Sequence, residues 1–380
     1  MGPLPALPDG TTGTARHGLC YVPGAGNRFL ITVSTARKPC ARRRAVLMVA
    51  SKRAKRVTIA DVAREAGASV ATVSRVLNGV DTVAPGLAER VRSAMADLGY
   101  RPSAAAQGLA RGRSGTIGVL VPDLANPYFH DIIKAVSAVA RDAGSRVLVM
   151  DSGEDPAVER ELTEDLLRYA DGLLLCSPRM PRADLAALAG RGTPMLVTDR
   201  QVPGLALHSI TVDFFRGIMA LCGHLARLGH RRVLFLEGPE HAWANSERLR
   251  ALSGAEAFGL EVITLPCGST TDEGYAGAPA ALESGATAVI AYNDFVALGV
   301  LARFSELGVK VPDDISLTGF DEIDMARFSA PPLTTVAVPR HRLGQIAGGA
   351  LGRIMAGRDD IEPETVPVEL RVRSSTGALS

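Results

Sequence analysis

Cysteine, aromatic residues and long apolar runs are all scarce in this chain, and each scarcity removes a class of protein. The five cysteines, Cys20, Cys40, Cys176, Cys222 and Cys267, are scattered and form no CxxC pair. That argues against zinc ribbons and disulfide scaffolds and favours a reducing, cytoplasmic setting. Aromatics make up 4% of the 380 residues while hydrophobic residues make up 47%, which is the composition of a globular chain. No apolar stretch approaches the roughly 18 residues a membrane span requires, so no membrane partner is expected. Also missing are HExxH, GxSxG, a phosphate-cradling glycine loop and any nucleophile–base motif, so neither catalysis, a metal nor a cofactor is expected. The length allows a small domain plus a large one, or three lobes.

Charge is present but unevenly spread. Residues 1–56 hold eleven Lys/Arg and one acid, residues 57–113 seven and five, and residues 114–380 twenty-four and thirty-four, within a net +2. A basic front on an acidic body suits binding a polyanion by one end. Residues 1–56 lack hydrophobic periodicity and carry a basic cluster (Arg37, Lys38, Arg42, Arg43, Arg44), so disorder is expected there. The apolar run at 45–50 is too short for a signal-peptide core. Met48 is expected to be the natural initiator, because MVASKRAKRVTIADVA would place a start just ahead of the first helix.

The most informative stretch is Val57–Gly79. Thr58 and Asp61 have capping-box spacing, Ile59, Val62, Ala63 and Ala66 recur at helical intervals, and Gly67 breaks the helix. Ser69 caps a second helix ending at Asn78-Gly79. Thr72, Val73, Val76 and Leu77 fall on one side of it; Val70, Ala71, Ser74, Arg75 and Asn78 fall on the other. That second face is small and polar with one arginine, and suits a major groove. The pattern alone fits an amphipathic helical hairpin as well as a DNA reader. Pro85 to Gly99 reads as a third helix, with Leu87, Val91, Ala94, Met95 and Leu98 on its packing face.

The segments Thr58-Ile59-x-Asp61-Val62-Ala63, Ala66-Gly67-x-Ser69 and Thr72 to Asn78 resemble the headpiece of the lactose-repressor family of bacterial transcription regulators. The resemblance continues through Arg90-Val91, Leu98-Gly99-Tyr100 and Pro102 to Val372-Arg373. It implies an all-α three-helix helix-turn-helix headpiece (57–101) plus a hinge helix (102–114). These join a two-lobed α/β effector domain (115–375) like periplasmic binding proteins, with parallel sheets. Ser69, Ser74 and Asn78 are then expected on phosphates and Arg75 on a base edge, with Val70 and Ala71 at the specificity positions. Thr58, Ile59 and Thr72 complete the expected DNA-binding set. In the hinge, Leu109 matches the leucine that wedges into a central base step, and Ala106 the close contact between paired hinge helices. Gly86-Leu87-Ala88 depart from the polar residues frequent in the family, which puts some phosphate contacts in doubt.

Beyond Thr116, short β-branched runs alternate with amphipathic helices. Strands read at 117–122, 146–151, 172–176, 195–199, 209–212, 233–237, 262–265, 288–292 and 315–319, which argues for parallel sheets. Lobe 1 is expected over about 116–211 plus 340–358, and lobe 2 over about 212–339 plus 364–373, with a helix at 341–356 and a terminal strand at 366–373. Ligands of such folds bind beyond the carboxyl ends of the strands. The strand-end candidates are Asp123, Asn126, Tyr128, Phe129 and Asp199, then Trp243, Arg248 and Asp294. Asp199 also suits a helix cap and Phe129 a core position. The resemblance assigns Arg248 and Asp294 to effector recognition. Arg340 stands where relatives carry other side chains. His224 and His230 read as cations at a helix end.

The expected function is a sequence-specific transcriptional regulator, foremost a repressor. It would act as a homodimer on pseudo-palindromic operator DNA and be controlled by a small effector, a sugar ahead of purines and other metabolites. A transport solute-binding protein shares the body fold and is the competing reading.

Overall fold

The computed structural model describes residues 57–77, 82–100, 114–358 and 360–379. The basic extension with Met48, the helix end at Asn78-Gly79 and the hinge with Ala106 and Leu109 lie outside them.

Three short helices make the headpiece: α1 (Ile59–Glu65), α2 (Val70–Leu77) and α3 (Pro85–Asp97). Their apolar faces meet in one small core of Val62, Ala63, Ala66, Val73, Val91 and Ala94, with Ile59, Val76, Leu77, Met95 and Leu98 packed around it. Helices of seven to thirteen residues are marginal alone, so this shared core is what holds them.

The body contains two six-stranded sheets of the same order. In the first, β1 (Thr116–Val121), β2 (Arg146–Asp151), β3 (Gly172–Cys176), β4 (Met195–Thr198), β5 (His208–Val212) and β11 (Glu364–Val366) run β11-β5-β4-β3-β1-β2. In the second, β6 (Arg232–Glu237), β7 (Glu261–Pro266), β8 (Ala288–Ala291), β9 (Ser316–Asp321), β10 (Thr334–Ala337) and β12 (Glu369–Arg371) run β12-β10-β9-β8-β6-β7. All neighbours pair in parallel except β10 with β12. Central strands such as β1, β3 and β8 are buried along their whole length, because helices cover both faces.

Helices α4 (Tyr128–Asp142), α5 (Pro156–Leu166) and α6 (Arg182–Ala189) serve the first lobe. The second holds α7 (Phe214–Arg227), α8 (Trp243–Leu252), α9 (Thr271–Glu283), α10 (Asp294–Glu306) and α11 (Asp324–Phe328). Helix α12 (Arg340–Met355) returns to the first lobe and packs on α4. The chain therefore passes between lobes after β5, after β10 and between β11 and β12.

Two expectations about the chain's end are corrected. The single strand at 366–373 is two three-residue strands, with Pro367 in the gap between them. Of these, β11 pairs with β5 and so adds 364–366 to the first lobe. Strand β10, four residues directly behind Pro331-Pro332-Leu333, had no counterpart in the sequence reading.

Close approach of α9 and α10 depends on glycine. A Cβ at Gly299 would lie 2.0 Å from the Thr271 carbonyl oxygen, and one at Gly274 2.1 Å from that of Val296. Backbone cannot yield there as a flexible side chain could. Gly299→Ala is expected to destabilise the second lobe by about 1–3 kcal/mol or more, read as a lower urea midpoint.

The two histidines also differ from expectation. His224 Nε2 meets Thr376 Oγ1 at 2.9 Å, and His230 meets Thr287, Ser316 and the Gly377 carbonyl. Burial holds both below their ordinary range, and their contacts tie the C-terminal segment to the second lobe.

Candidate DNA-reading surface and ligand cleft

Ser69 sets where α2 begins. Its Oγ accepts the Thr72 amide at 3.1 Å and lies 2.9 Å from the Thr72 hydroxyl. A cap of this kind contributes about 1 kcal/mol. Gly67, at φ +58°, ends α1, and the Ala68 amide returns to the Ala63 carbonyl at 2.9 Å. Val73 is wholly buried, which fixes the inner side of α2. The outer side is open: Val70 is 46% exposed, and Ala71 and Arg75 are also exposed.

Among the expected DNA contacts, Ser69, Val70, Ala71 and Arg75 share this open surface, Ser74 is half-buried beside them, and Thr58 is exposed ahead of α1. Ile59 and Thr72 do a different job. Ile59 packs on the headpiece core, and Thr72 spends its amide and hydroxyl on Ser69. Asn78, Ala106 and Leu109 lie outside the described residues.

The second site lies between the lobes, beyond the carboxyl ends of β1, β3, β6 and β8. There the strand order of each sheet reverses, which is where α/β sheets open a crevice. The space within the cleft, open solvent included, is about 370 Å³. The first lobe contributes Asn126, Tyr128, Phe129, Arg179 and Asp199; the second contributes Phe214, Arg248, Tyr292 and Asp321.

Arg248 is the centre of this cleft. It is 2% exposed, and its guanidinium carbon lies 4.3 Å from the ring centroids of Tyr292 and Phe320 and 4.9 Å from that of Phe214. Its Nη2 is 3.9 Å from Asp321 Oδ1. Its Nε and Nη1, together with Asp199 Oδ1, have no hydrogen-bond partner. Each buried unmade bond costs about 1–3 kcal/mol, more for charged groups, and a ligand that supplied partners would recover it.

Asp199 and Asp321 stand at φ +57° and +109°. The Tyr128 hydroxyl donates to Asp199 Oδ2 at 3.1 Å. Burial pushes Asp199 up to about 7, against the Tyr128 bond and the charges of Arg248 and Arg179. Burial likewise pushes Asp321 up to about 7, opposed by Arg248 and Arg340.

Arg179 and Glu154 form the opposite wall. Arg179 Nε and Nη2 reach Glu154 at 2.6 and 3.0 Å, and Nη1 donates to the Ser177 carbonyl and hydroxyl at 2.6 and 2.8 Å. Across the cleft, Ser269 Oγ donates to Glu154 Oε1 at 3.2 Å. Behind this wall Glu159 accepts the amides of Arg179 and Met180 at 2.7 and 2.6 Å. Burial pushes Glu159 up to about 7, against those two amides and Arg179.

With its folded pKa raised, Glu159 binds more protons in the native state than in the unfolded state. Its contribution to stability is therefore full at acid pH and declines as pH rises from about 4.5 towards 7. Glu159→Gln is expected to flatten that decline, with a gain on the order of a few kcal/mol at pH 8 in denaturant titrations. An unchanged slope would contradict the assignment.

The cleft brings together Asn126, Tyr128, Phe129, Asp199 and Arg248 from the expected ligand set. Asn126 also starts α4, its Oδ1 accepting the Tyr128 amide at 3.0 Å. The other four candidates are placed elsewhere. Asp123 lies at the outer mouth. Trp243 faces a separate depression with Asp213 and Glu247, its ring 6.0 Å from Phe214. Arg340 pairs with Asp131 at 3.1 Å.

Asp294 is a correction to the sequence reading. Its Oδ1 accepts the Thr335 hydroxyl at 2.5 Å and its Oδ2 the Ile323 amide at 2.9 Å, so both oxygens are consumed behind the cleft. Asp321, at the end of β9, supplies the carboxylate instead. Asp321, Arg179 and Tyr292 were missed, although each ends or follows a strand and the same strand-end rule reaches them.

A helix-turn-helix with an open reading face, carried on a chain with a two-lobed α/β ligand-binding body, defines a DNA-binding transcriptional regulator. Residues 58–103 match the bacterial regulatory proteins of the lacI family, and residues 222–376 match a periplasmic binding protein-like domain. The HTH-type transcriptional repressor CytR of Escherichia coli (strain K12) is 32% identical over 348 residues, covering 87% of this chain and 100% of CytR. The regulator GalS of Salmonella typhimurium is 35% identical over 312 residues, covering 80% and 92%. This chain belongs to the lacI family.

Solved structures agree. The lac repressor dimer bound to operator and the anti-inducer ONPF superposes with a TM-score of 0.75 at 29% identity, covering 85% of this chain and 100% of that one. A LacI family regulator of Enterococcus faecium with bound ribose gives 0.63 at 29% identity, covering 70% and 100%.

Proposed function

We propose that this regulator is a repressor that binds pseudo-palindromic operators as a homodimer in the bacterial cytoplasm, and that a sugar-like ligand in the inter-lobe cleft sets its operator affinity. The carrying observation is the set of open polar atoms, Arg248 Nε and Nη1 with Asp199 Oδ1, buried in a cleft lined by aromatic rings. One donor-rich and one acceptor group match a hydroxyl, which can accept from the first and donate to the second. Ring faces cover the apolar C–H groups of a sugar. The relatives with ribose and with cellobiose bound support the same ligand class. Dimerisation follows from the reading head: one short α2 contacts few bases, and two copies one helical turn apart read a symmetric site.

In this reading Val70 and Ala71 touch base edges, Arg75 donates to guanine, and Ser69 and Ser74 contact phosphates. In the hinge, Leu109 wedges into a central base step and Ala106 lies at the close contact between the two hinge helices. Ligand acts only through unequal affinity for two lobe arrangements. Selection of bound sequences from random DNA tests the reading: enrichment of a two-fold symmetric site supports it, and enrichment of an asymmetric site or of none contradicts it.

A further inference from the structure

We propose that the cleft takes an uncharged polyhydroxyl compound and excludes the phosphate esters of the same compound. The proposal rests on the reading of the cleft as the ligand site. A bound phosphoryl group requires a cation not already neutralised, or free amides at a helix start. Among the described residues the cleft's two arginines have carboxyl groups beside them, and four of the helix starts around it carry side-chain caps.

Both arginines of the cleft lie beside carboxyl groups. Arg179 has its fork on Glu154 and its remaining nitrogen on Ser177. Arg248 keeps two open donors, but it sits between carboxylates: Asp321 Oδ1 is 3.9 Å away, and Asp199 feels its charge. A hydroxyl can take those donors without bringing charge, whereas a phosphate dianion would face both acids. Arg200, outside this lining, donates to the carbonyls of Pro178 and Met180 at 2.8 and 2.6 Å.

The starts of α4, α5, α9 and α10 each have an amide taken by a side chain. Asn126 holds the Tyr128 amide, Asp155 the Ala157 amide at 2.8 Å, and Asn293 the Val296 amide at 2.8 Å. Thr270 and Glu273 form a capping box on α9. The start of α8 has no side-chain cap; the depression beside it is lined by Asp213, Glu247 and Arg250, the last two paired at 2.6 Å.

The route inward adds to the exclusion. Asp123, Glu154, Asp272 and Glu273 line the outer mouth between the lobes, and no Lys or Arg does. Asp123 carries the mark of that field: burial first, then Asp151, Glu154 and Glu273, push its carboxyl above the ordinary range. The ligand itself is indicated independently of this acidic rim, by the open polar atoms of Arg248 and Asp199, both 2% exposed, in the adjoining cleft.

The test is isothermal titration of the full chain with D-ribose, D-glucose, D-galactose and adenosine, each beside its monophosphate ester. At least one uncharged compound is expected to bind, with its ester about a hundredfold weaker or more. The gap should narrow in high salt, which screens the exposed carboxylates. It should narrow also in the double variant Asp123→Asn, Asp272→Asn, which keeps the side-chain shapes.

An ester that binds as tightly as its parent overturns the proposal while leaving the cleft as a ligand site. A gap unmoved by salt and by the double variant overturns the role of the mouth. Failure of every compound and every ester to bind overturns the sugar-like reading on which the proposal stands.

Discussion

Replacing Arg248 with alanine is expected to raise the ligand dissociation constant about a hundredfold or more. The side chain presents two unpartnered donors into the cleft, and hydrogen bonds to a charged group contribute about 1.5–3 kcal/mol each. Asp321 would lose the nearest cation opposing its protonation, and its carboxyl, already at about 7, would rise further and be neutral at pH 7. The second lobe is therefore expected to remain folded, with no uncompensated buried charge. Arg248→Lys keeps the charge but not the planar fork among three rings, so it should recover little. Calorimetric titration with the compound that binds the native chain reads both variants, and a change of less than threefold for Arg248→Ala would contradict its central place.

Replacing Arg75 with alanine is expected to weaken binding to the preferred operator about 10- to 100-fold per half-site, since a bidentate arginine–guanine pair is worth about 1–3 kcal/mol of discrimination. Arg75 is exposed on the outer face of α2, while Val73 on the inner face is fully buried, so the substitution spares the headpiece core. Non-specific binding should fall far less, because it depends on phosphate contacts. Competition with random-sequence DNA at fixed salt separates the two. Equal losses on both kinds of DNA would assign Arg75 to the phosphate backbone.

The fold was largely legible because its strands are short apolar blocks between helices of clear period. Nine strand runs were read to within a residue or two of β1 to β9. The shortest strands carry too little pattern to be legible: β10 has four residues behind two prolines, and β11 and β12 have three each, split by Pro367 between two sheets. No local pattern reveals that neighbouring triplets pair with different partners.

In the headpiece, amphipathicity separated Val73 from Val70 and Arg75 correctly. The position of Ile59 against the core was implicit in the same periodicity, since it was one of the apolar residues that defined α1.

The cleft was half legible for a related reason. A strand end marks where a ligand sits but not which carboxylate stays free to meet it. Asp294 and Asp321 both adjoin a strand end, and only the packing shows that Thr335 and the Ile323 amide consume the first. Trp243 and Arg248 are five residues apart on α8, about 140° around the helix, so one helix could not aim both into the same cleft. Arg179 follows the end of β3, but its partner Glu154 lies twenty-five residues earlier, so nothing local marks that pairing.

The central claim is that the cleft controls the reading head, and quantitative footprinting of the selected operator tests it most directly. The native chain and Arg248→Ala would each be titrated on that operator with and without each uncharged compound of the panel. The expected result is that at least one compound moves the native midpoint about tenfold or more, which corresponds to about 1.4 kcal/mol of coupling, and leaves the midpoint of Arg248→Ala where it was. A midpoint that no compound moves, or one that moves equally in both proteins, would contradict the account.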